Sequence, residues 1–139
     1  MRLVRKRTTE DGATAVEFAL VLPIFVMLVF GIIAFGFAYA TWTALEGGAR
    51  EGARYMAVHS AATPAANGSA ATLARQAAAL PCGTGGTGCT VGEVPAGARC
   101  SAPTQNITYT AAAKVDLMIP FVANAQPTLR ATAVMRCGG

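Results

Sequence analysis

The amino-acid sequence predicts an α+β protein in which a long N-terminal helix, membrane-spanning in its first half, carries a small extracytoplasmic head. The head is expected to contain a second helix and antiparallel β-strands. Residues 18–45 contain no Asp, Glu, Lys or Arg, and only 13% of the chain is charged, about half the share usual in soluble domains. The last third alternates apolar and polar residues with the period of two that is typical of strands.

The uncharged run is long enough to cross a bilayer. Its 28 residues would extend about 42 Å as a helix, and a hydrocarbon core is about 30 Å thick. Thr41, Trp42 and Thr43 stand near its far end, where Trp commonly lies at a membrane–water interface. We therefore predict one helix over residues 13–58 that spans the membrane and extends into water. Pro23 is expected to kink or loosen this helix, because proline lacks an N–H.

The placement of charge predicts the orientation of the helix. Basic residues precede the uncharged run, whereas both signs of charge follow it. By the positive-inside rule, the N-terminus is cytoplasmic and the chain after about residue 46 lies outside. Beyond the uncharged run, acidic and basic residues at helical spacing are expected to form ion pairs. Small residues also lie along one side of the helix there, and in membranes such residues let helices approach closely. The residues concerned are Arg2, Arg5, Lys6 and Arg7 on the inside, the expected pairs Glu46–Arg50 and Glu51–Arg54, and the glycines Gly47, Gly48 and Gly52.

The head is predicted to begin with a loop and a second helix. Pro, Asn and Gly favour a loop over residues 59–68. Ser69 or Thr72 can cap a helix that continues to about Leu80, and Pro81 is expected to end it.

Two strands are predicted near the C-terminus. One alternating run covers residues 107–119 and stops at Pro120, and the other covers residues 129–136. Two such runs joined by a loop are typical of an antiparallel hairpin or meander.

All four cysteines follow the membrane run. An even number in an oxidising compartment favours disulfides, and four cysteines allow three pairings among which the sequence does not choose. We expect two bonds, one of which ties Cys137 to one of the other three and so holds the last strand to the Gly-, Thr- and Pro-rich residues 82–106. The disulfide candidates are Cys82, Cys89, Cys100 and Cys137.

The segment in front of the membrane run carries the most specific pattern. Residues 1–12 form a basic leader that ends in Gly12, and Ala13 follows it. Glu17 stands five residues after the glycine and is followed by Phe18 and the uncharged helix. This arrangement resembles the class III signal of type IV prepilins, in the Flp/TadE variety.

The resemblance extends beyond the leader. Residues 17–23, Glu-Phe-Ala-Leu-Val-Leu-Pro, residues 48–54, Gly-Ala-Arg-Glu-Gly-Ala-Arg, and residues 129–133, Leu-Arg-Ala-Thr-Ala, are similar to TadE-like pseudopilins. These proteins are minor pilin-like components of tight-adherence (Flp) pilus systems. The resemblance covers residues 10–58 well and the last strands loosely.

The resemblance implies a structural protein rather than an enzyme. A prepilin peptidase would cut between Gly12 and Ala13, and the chain would divide into a basic leader (1–12), a transmembrane and extended helix (13–58) and a disulfide-bearing periplasmic head (59–139). The location implied is a single pass through the bacterial inner membrane. Whether the subunit enters the filament, caps it or only assists its assembly stays open. The implied partners are other pilin-like subunits (a major pilin and minor pseudopilins), the prepilin peptidase, the inner-membrane platform of the pilus and membrane lipid, without cofactor, metal or nucleic acid.

Glu17 has a physical argument of its own. A carboxylate in hydrocarbon costs about 2.5–3.5 kcal/mol near the centre of a helix and less near its end. Cleavage would place an α-amino group on Ala13, four residues away. In a bundle of parallel helices, Glu17 could neutralise its own or a neighbour's amino terminus and set the registry of the subunits, because an unpaired buried charge is penalised. The alternative is that Glu17 simply lies among the headgroups.

Other functions have weaker support. Residues 38–40, Ala-Tyr-Ala, resemble a signal-peptidase site, but the apolar stretch in front of them exceeds the 7–15 residues of a signal peptide. A membrane-anchored periplasmic binding module unrelated to pili stays the alternative. His59 is the only histidine and is expected to be a solvated surface residue, and Asp116 is the only acid in the C-terminal strands, so the sequence offers no catalytic arrangement.

Overall fold

The computed structural model describes residues 10–59, 64–82, 88–117 and 126–138. These residues form three helices and a three-stranded antiparallel sheet in the order β1-β2-β3. The α+β class and the long N-terminal helix are confirmed. The elements are α1 (Glu10–Val58), α2 (Pro64–Ala77), α3 (Ala79–Cys82), β1 (Cys89–Val94), β2 (Asn106–Lys114) and β3 (Thr128–Arg136).

Helix α1 is continuous over 49 residues and is not interrupted at Pro23. It begins before residue 13, which marks the predicted cleavage rather than a helix end. Both expected ion pairs form on its exposed side. An Arg50 nitrogen lies 2.5 Å from a Glu46 oxygen, and Nε of Arg54 lies 3.5 Å from a Glu51 oxygen.

The head is a two-layer structure in which the outer half of α1 and helix α2 cover one face of the sheet. α1 packs mainly across β2 and β3, whereas α2 packs beside α1 and contacts β1. Successive residues of a strand point to opposite faces, so the odd-numbered residues of β2 and β3 face the helices. The core includes Leu45, Ala49, Ala53 and Met56 of α1, Ala70, Ala74 and Ala78, and Ile107, Tyr109, Ala111, Ala113, Ala131 and Ala133 of the sheet.

Two glycines let α1 approach its own head closely. A Cβ atom at Gly48 would lie 2.6 Å from the carbonyl oxygen of Ala74 and 2.8 Å from Cβ of Ala78, and one at Gly52 would overlap the ring of Tyr109. A Cβ atom at Gly47 would meet nothing within 4 Å. The Gly48 and Gly52 face is therefore occupied by α2 and β2 of the same chain, not by a neighbouring membrane helix.

The predicted start and end of the second helix are wrong. Helix α2 begins at Pro64, inside the expected loop, because the fixed φ of proline suits a first helical position where no N–H is needed. Ser69 and Thr72 lie within the helix rather than at its cap. Pro81 lies inside the four-residue helix α3, whose first-turn N–H groups need no intrahelical acceptor. Residues 60–63 of the expected loop lie outside the described residues.

The strands differ from the prediction at two places. Strand β1 lies in the segment expected to be irregular, and it pairs Cys89 with Ala113 and Val94 with Thr108. Strand β2 ends at Lys114, before the predicted end of the alternating run, and residues 118–125 lie outside the described residues. Strand β3 pairs antiparallel with β2, as predicted.

Two disulfides hold the head, Cys82–Cys89 and Cys100–Cys137, as expected in number and for Cys137. All four cysteines are buried. The second bond joins residues 37 positions apart, a separation worth about 3–4 kcal/mol in the chain-entropy model. It ties the end of β3 to the segment between β1 and β2.

Tyr109 is the largest fully buried side chain of the core. Its Oη and Nε of Arg75 are both buried without a hydrogen-bond partner among the described residues. Burial raises the pKa of Tyr109 to about 12, with a further increase from the Glu93 carboxylate and an opposing effect of Arg75. The phenol is therefore held in its neutral form in the folded head.

The packing of Gly52 against Tyr109 predicts opposite effects of one methyl group at two positions of α1. Gly52→Ala should lower the free energy of unfolding by about 1–3 kcal/mol, because the core must shift to accept the new atom. Gly47→Ala is the matched control and should raise it by about 0.5–1 kcal/mol, because the site is open and alanine favours a helix. Denaturant unfolding of the full chain in detergent micelles measures both. A neutral or stabilising Gly52→Ala contradicts the described packing.

The buried phenol predicts a pH-dependent loss of stability. The pKa of Tyr109 rises on folding from about 10 to about 12, so its contribution is complete below pH 10 and is lost as the pH rises towards 12. Tyr109→Phe removes this term. The stability of the variant relative to wild type should therefore increase between pH 9 and pH 11. Tyr55→Phe controls for general alkaline unfolding, and equal pH profiles for wild type and Tyr109→Phe would contradict the prediction.

Candidate assembly surface

The first half of α1 has apolar side chains on all sides. Over residues 12–44, only Ala34 and Thr41 are buried. The segment Gly12–Val58 is the one helix among the described residues that is long and apolar enough to cross a membrane. Its large exposed side chains include Phe18, Leu20, Ile24, Phe25, Ile32, Phe35 and Phe37. A surface of this composition requires lipid or other helices around it, because water is a poor solvent for it.

The hydroxyl groups at the outer end of this segment are satisfied within the helix. Thr41 Oγ1 donates to the carbonyl oxygen of Phe37 and Thr43 Oγ1 to that of Ala40, each over 2.9 Å. The rings of Tyr39 and Trp42 lie side by side with their centroids 6.2 Å apart. These features suit the interface at which Trp and Tyr are enriched.

Gly12 and Ala13 lie in the first turn of α1 and are exposed. The first four N–H groups of a helix have no intrahelical acceptor, so opening this turn breaks few hydrogen bonds. A Cβ atom at Gly12 would meet nothing within 4 Å. The predicted cleavage position therefore lies in the first described turn of α1, with no side chain packed over its backbone.

Glu17 and Phe18 begin the exposed apolar surface. Glu17 is exposed, and none of the ion pairs among the described residues involves it. Phe18 is 65% exposed. Glu17 stands four residues after Ala13, and residues at this spacing lie on the same side of a helix. Both side chains can thus contact lipid or a neighbouring subunit.

The predicted disulfide residues form a separate group. Cys82, Cys89, Cys100 and Cys137 all lie in the head, on the far side of the uncharged run from Glu17. Among the described residues, no cluster of His, Cys, Asp or Glu could hold a metal ion. His59 is exposed and stacks on Tyr55, with ring centroids 4.1 Å apart.

Sequence reasoning missed the residues that fix the head on the helix. The four-residue spacing of Gly48 and Gly52 was visible, but their neighbours Ala74 and Tyr109 come from distant parts of the chain. Arg75, whose Nε is buried, gave no local signal. These residues determine how the exposed apolar first half of α1 is connected to the sheet.

Residues 12–54 match a family model described as TadE-like protein. The match covers the exposed apolar segment, Glu17 and the glycine-containing turns that pack on the head, and it ends before α2. The predicted resemblance of this part of the chain is thus confirmed. No curated protein and no solved structure matches the chain.

Proposed function

We propose that this chain, which is TadE-like over residues 12–54, is a structural pseudopilin or minor pilin of a bacterial type IV (Tad/Flp) pilus assembly apparatus. A prepilin peptidase removes the leader after Gly12, the helix stays in the inner membrane and the head lies in the periplasm. The protein then acts by packing α1 against a major pilin and minor pseudopilins on the inner-membrane platform. The observation that carries this proposal is the exposed apolar first half of α1, which opens with Gly12, Glu17 and Phe18.

Apolar side chains alone do not select other helices over lipid, since both environments are apolar. Glu17 supplies the selective element, because a carboxylate at the edge of hydrocarbon gains from a positive partner. The described residues provide no such partner within the chain. After cleavage, the α-amino group of Ala13 would lie about 6 Å along the helix axis from Glu17, or the amino group of a neighbouring subunit could take its place.

The head suits a structural role because it is fixed to the helix. Leu45, Ala49 and Ala53 are fully buried against the head, and Gly48 and Gly52 allow backbone-level contact. The Cys100–Cys137 bond closes the far end of the sheet. An axial position taken by α1 among neighbouring helices is thereby transmitted to the whole head.

The alternative is a membrane-anchored periplasmic binding module unrelated to pili. Two open depressions on the head would be its binding surfaces. One lies on α2, around Ser69 and Thr72, and the other lies on the outer face of the sheet, around Gly92. A module of this kind needs neither leader cleavage nor a charge at position 17, so the two experiments below separate the alternatives.

Removal of the leader can be tested directly. Mass spectrometry of the membrane-derived protein, expressed with its prepilin peptidase, should find Ala13 at the N-terminus. Gly12→Val should leave the full-length precursor, because a branched side chain would block the exposed backbone at the scissile bond. Gly31→Val is the matched control at another open glycine and should be processed normally. A mature protein that begins at Thr41 would instead indicate an ordinary signal peptidase.

Glu17 provides the test of assembly. Glu17→Gln keeps the size of the side chain but removes its charge, so the variant should be cleaved and inserted yet lose at least about tenfold in co-purification of the major pilin. Glu17→Asp should be partly defective, because the shorter side chain misplaces the charge. Glu46→Gln, at a half-buried acid beyond the uncharged run, is the matched control and should associate normally. Normal assembly by Glu17→Gln would refute the registry role and leave the membrane anchor intact.

A further inference from the structure

The sheet has one end that faces the membrane. At the far end, the backbone nitrogen of Gly138 lies 3.5 Å from the carbonyl oxygen of Ala57, near the end of α1. Further down, Tyr109 of β2 packs at the level of Gly52. Strand β2 therefore approaches the membrane as it continues from Tyr109 to Lys114.

This end of the sheet reaches the level of the membrane interface. Five residues separate Tyr109 from Lys114, about 16 Å along the strand. Arg136 pairs with Asn106, so the contacts at Ala57 and Gly52 are about five strand residues apart and five helical residues apart, about 8 Å along α1. The same descent beyond Tyr109 brings Lys114 near the level of Gly47. That level is about 8 Å beyond Trp42, within reach of a long basic side chain, and Leu45, between the two, already belongs to the core of the head.

Two basic side chains lie at this end on the outer face of the sheet. Lys114 pairs with Thr128 and Arg130 pairs with Ala112, so the two side chains are diagonal neighbours on one face. Both are exposed, and neither has an ion-pair partner among the described residues. Asp116 also lies at this end, where its carboxylate accepts a hydrogen bond from the Gln126 amide. Two adjacent unpaired cations repel each other, and an anion between them would relieve this repulsion.

We propose that Lys114 and Arg130 bind the phosphate groups of anionic phospholipids in the outer leaflet, so that the head is seated on the membrane surface. The continuity of α1 holds both residues at headgroup level without a flexible connection. The lipid headgroup is chosen over a protein partner because the surface is continuous with the membrane-spanning helix and the two cations outnumber the one acid at this end, Asp116, whose carboxylate is bonded to Gln126. The inference requires that α1 crosses a membrane, but not that the chain joins a pilus.

The single tryptophan gives a direct test, since Trp42 lies about 8 Å along α1 from the level of Lys114. The full chain is placed in nanodiscs of phosphatidylcholine with one-fifth phosphatidylglycerol. Two samples are prepared, and in each a different one of the two lipids carries bromine near the headgroup end of its acyl chains. Bromine quenches Trp fluorescence at short range, so the quenching ratio of the two brominated lipids reports local enrichment. Each basic residue near an anionic surface favours binding by about fivefold at most. Because two basic residues act together here, we expect phosphatidylglycerol to be enriched about three- to tenfold.

The variants Lys114→Gln and Arg130→Gln, combined, should bring this enrichment close to one, as should high salt. Arg136→Gln is the matched control on the same strand and face, about 20 Å away and beyond the screening length of about 8 Å, so it should leave the enrichment unchanged. The leader is common to all variants and lies at the opposite leaflet. Thiol titration, which should find all four cysteines still paired, verifies that each variant is folded.

A wild-type enrichment of one would overturn the proposal, and so would full enrichment in the double variant. Loss of major-pilin binding by the double variant with its lipid preference intact would instead assign this edge to a protein partner. Because the nanodisc contains no other subunit, failure here leaves the role of Glu17 untouched. Equally, normal assembly by Glu17→Gln leaves the lipid contact standing.

Discussion

The close approach of α1 to its own head is the constraint on which the rest of the structure depends. Gly48 and Gly52 bring the helix backbone against α2 and the ring of Tyr109, and no side chain could be added there without displacing the core. Because of this contact, one helix that is long and apolar enough to cross a membrane is also the central element of a small domain. The head is built largely from alanines and has two disulfides, so backbone proximity and cross-links replace the large side chains of a bigger core.

Features encoded by neighbouring residues could be predicted from the sequence. The uncharged run, the ion pairs of α1, strand β3 and the segment from Gly12 to Phe18 each depend on residues close together in the chain. The structure agrees with the sequence on the helix, its ion pairs and strand β3, because helical spacing and alternation are local properties. The segment from Gly12 to Phe18 lies within the family match. The position of Glu17 at the start of the apolar segment was also predictable, whereas the described residues contain no ion-pair partner for it.

Features that depend on distant residues could not be predicted. Strand β1 is short, contains Gly92 and exists because β2 supplies its hydrogen-bond partners. Pro, Asn and Gly favour turns and therefore predict a loop over the first turn of α2, yet α2 packs along α1 and begins at Pro64. Tyr109 gave no sign of its unusual environment, which arises from Gly52, Arg75 and Glu93 on three other elements.

The unbroken path of α1 from the bilayer into the head links the two by rotation as well as by distance. Each residue of an α-helix turns the chain by about 100° and advances it about 1.5 Å. One residue added between Trp42 and Leu45 would therefore swing the sheet about a quarter of a turn around the membrane normal while lifting it hardly at all. The number of residues in this stretch thus sets the direction in which each edge of the sheet faces around the helix axis.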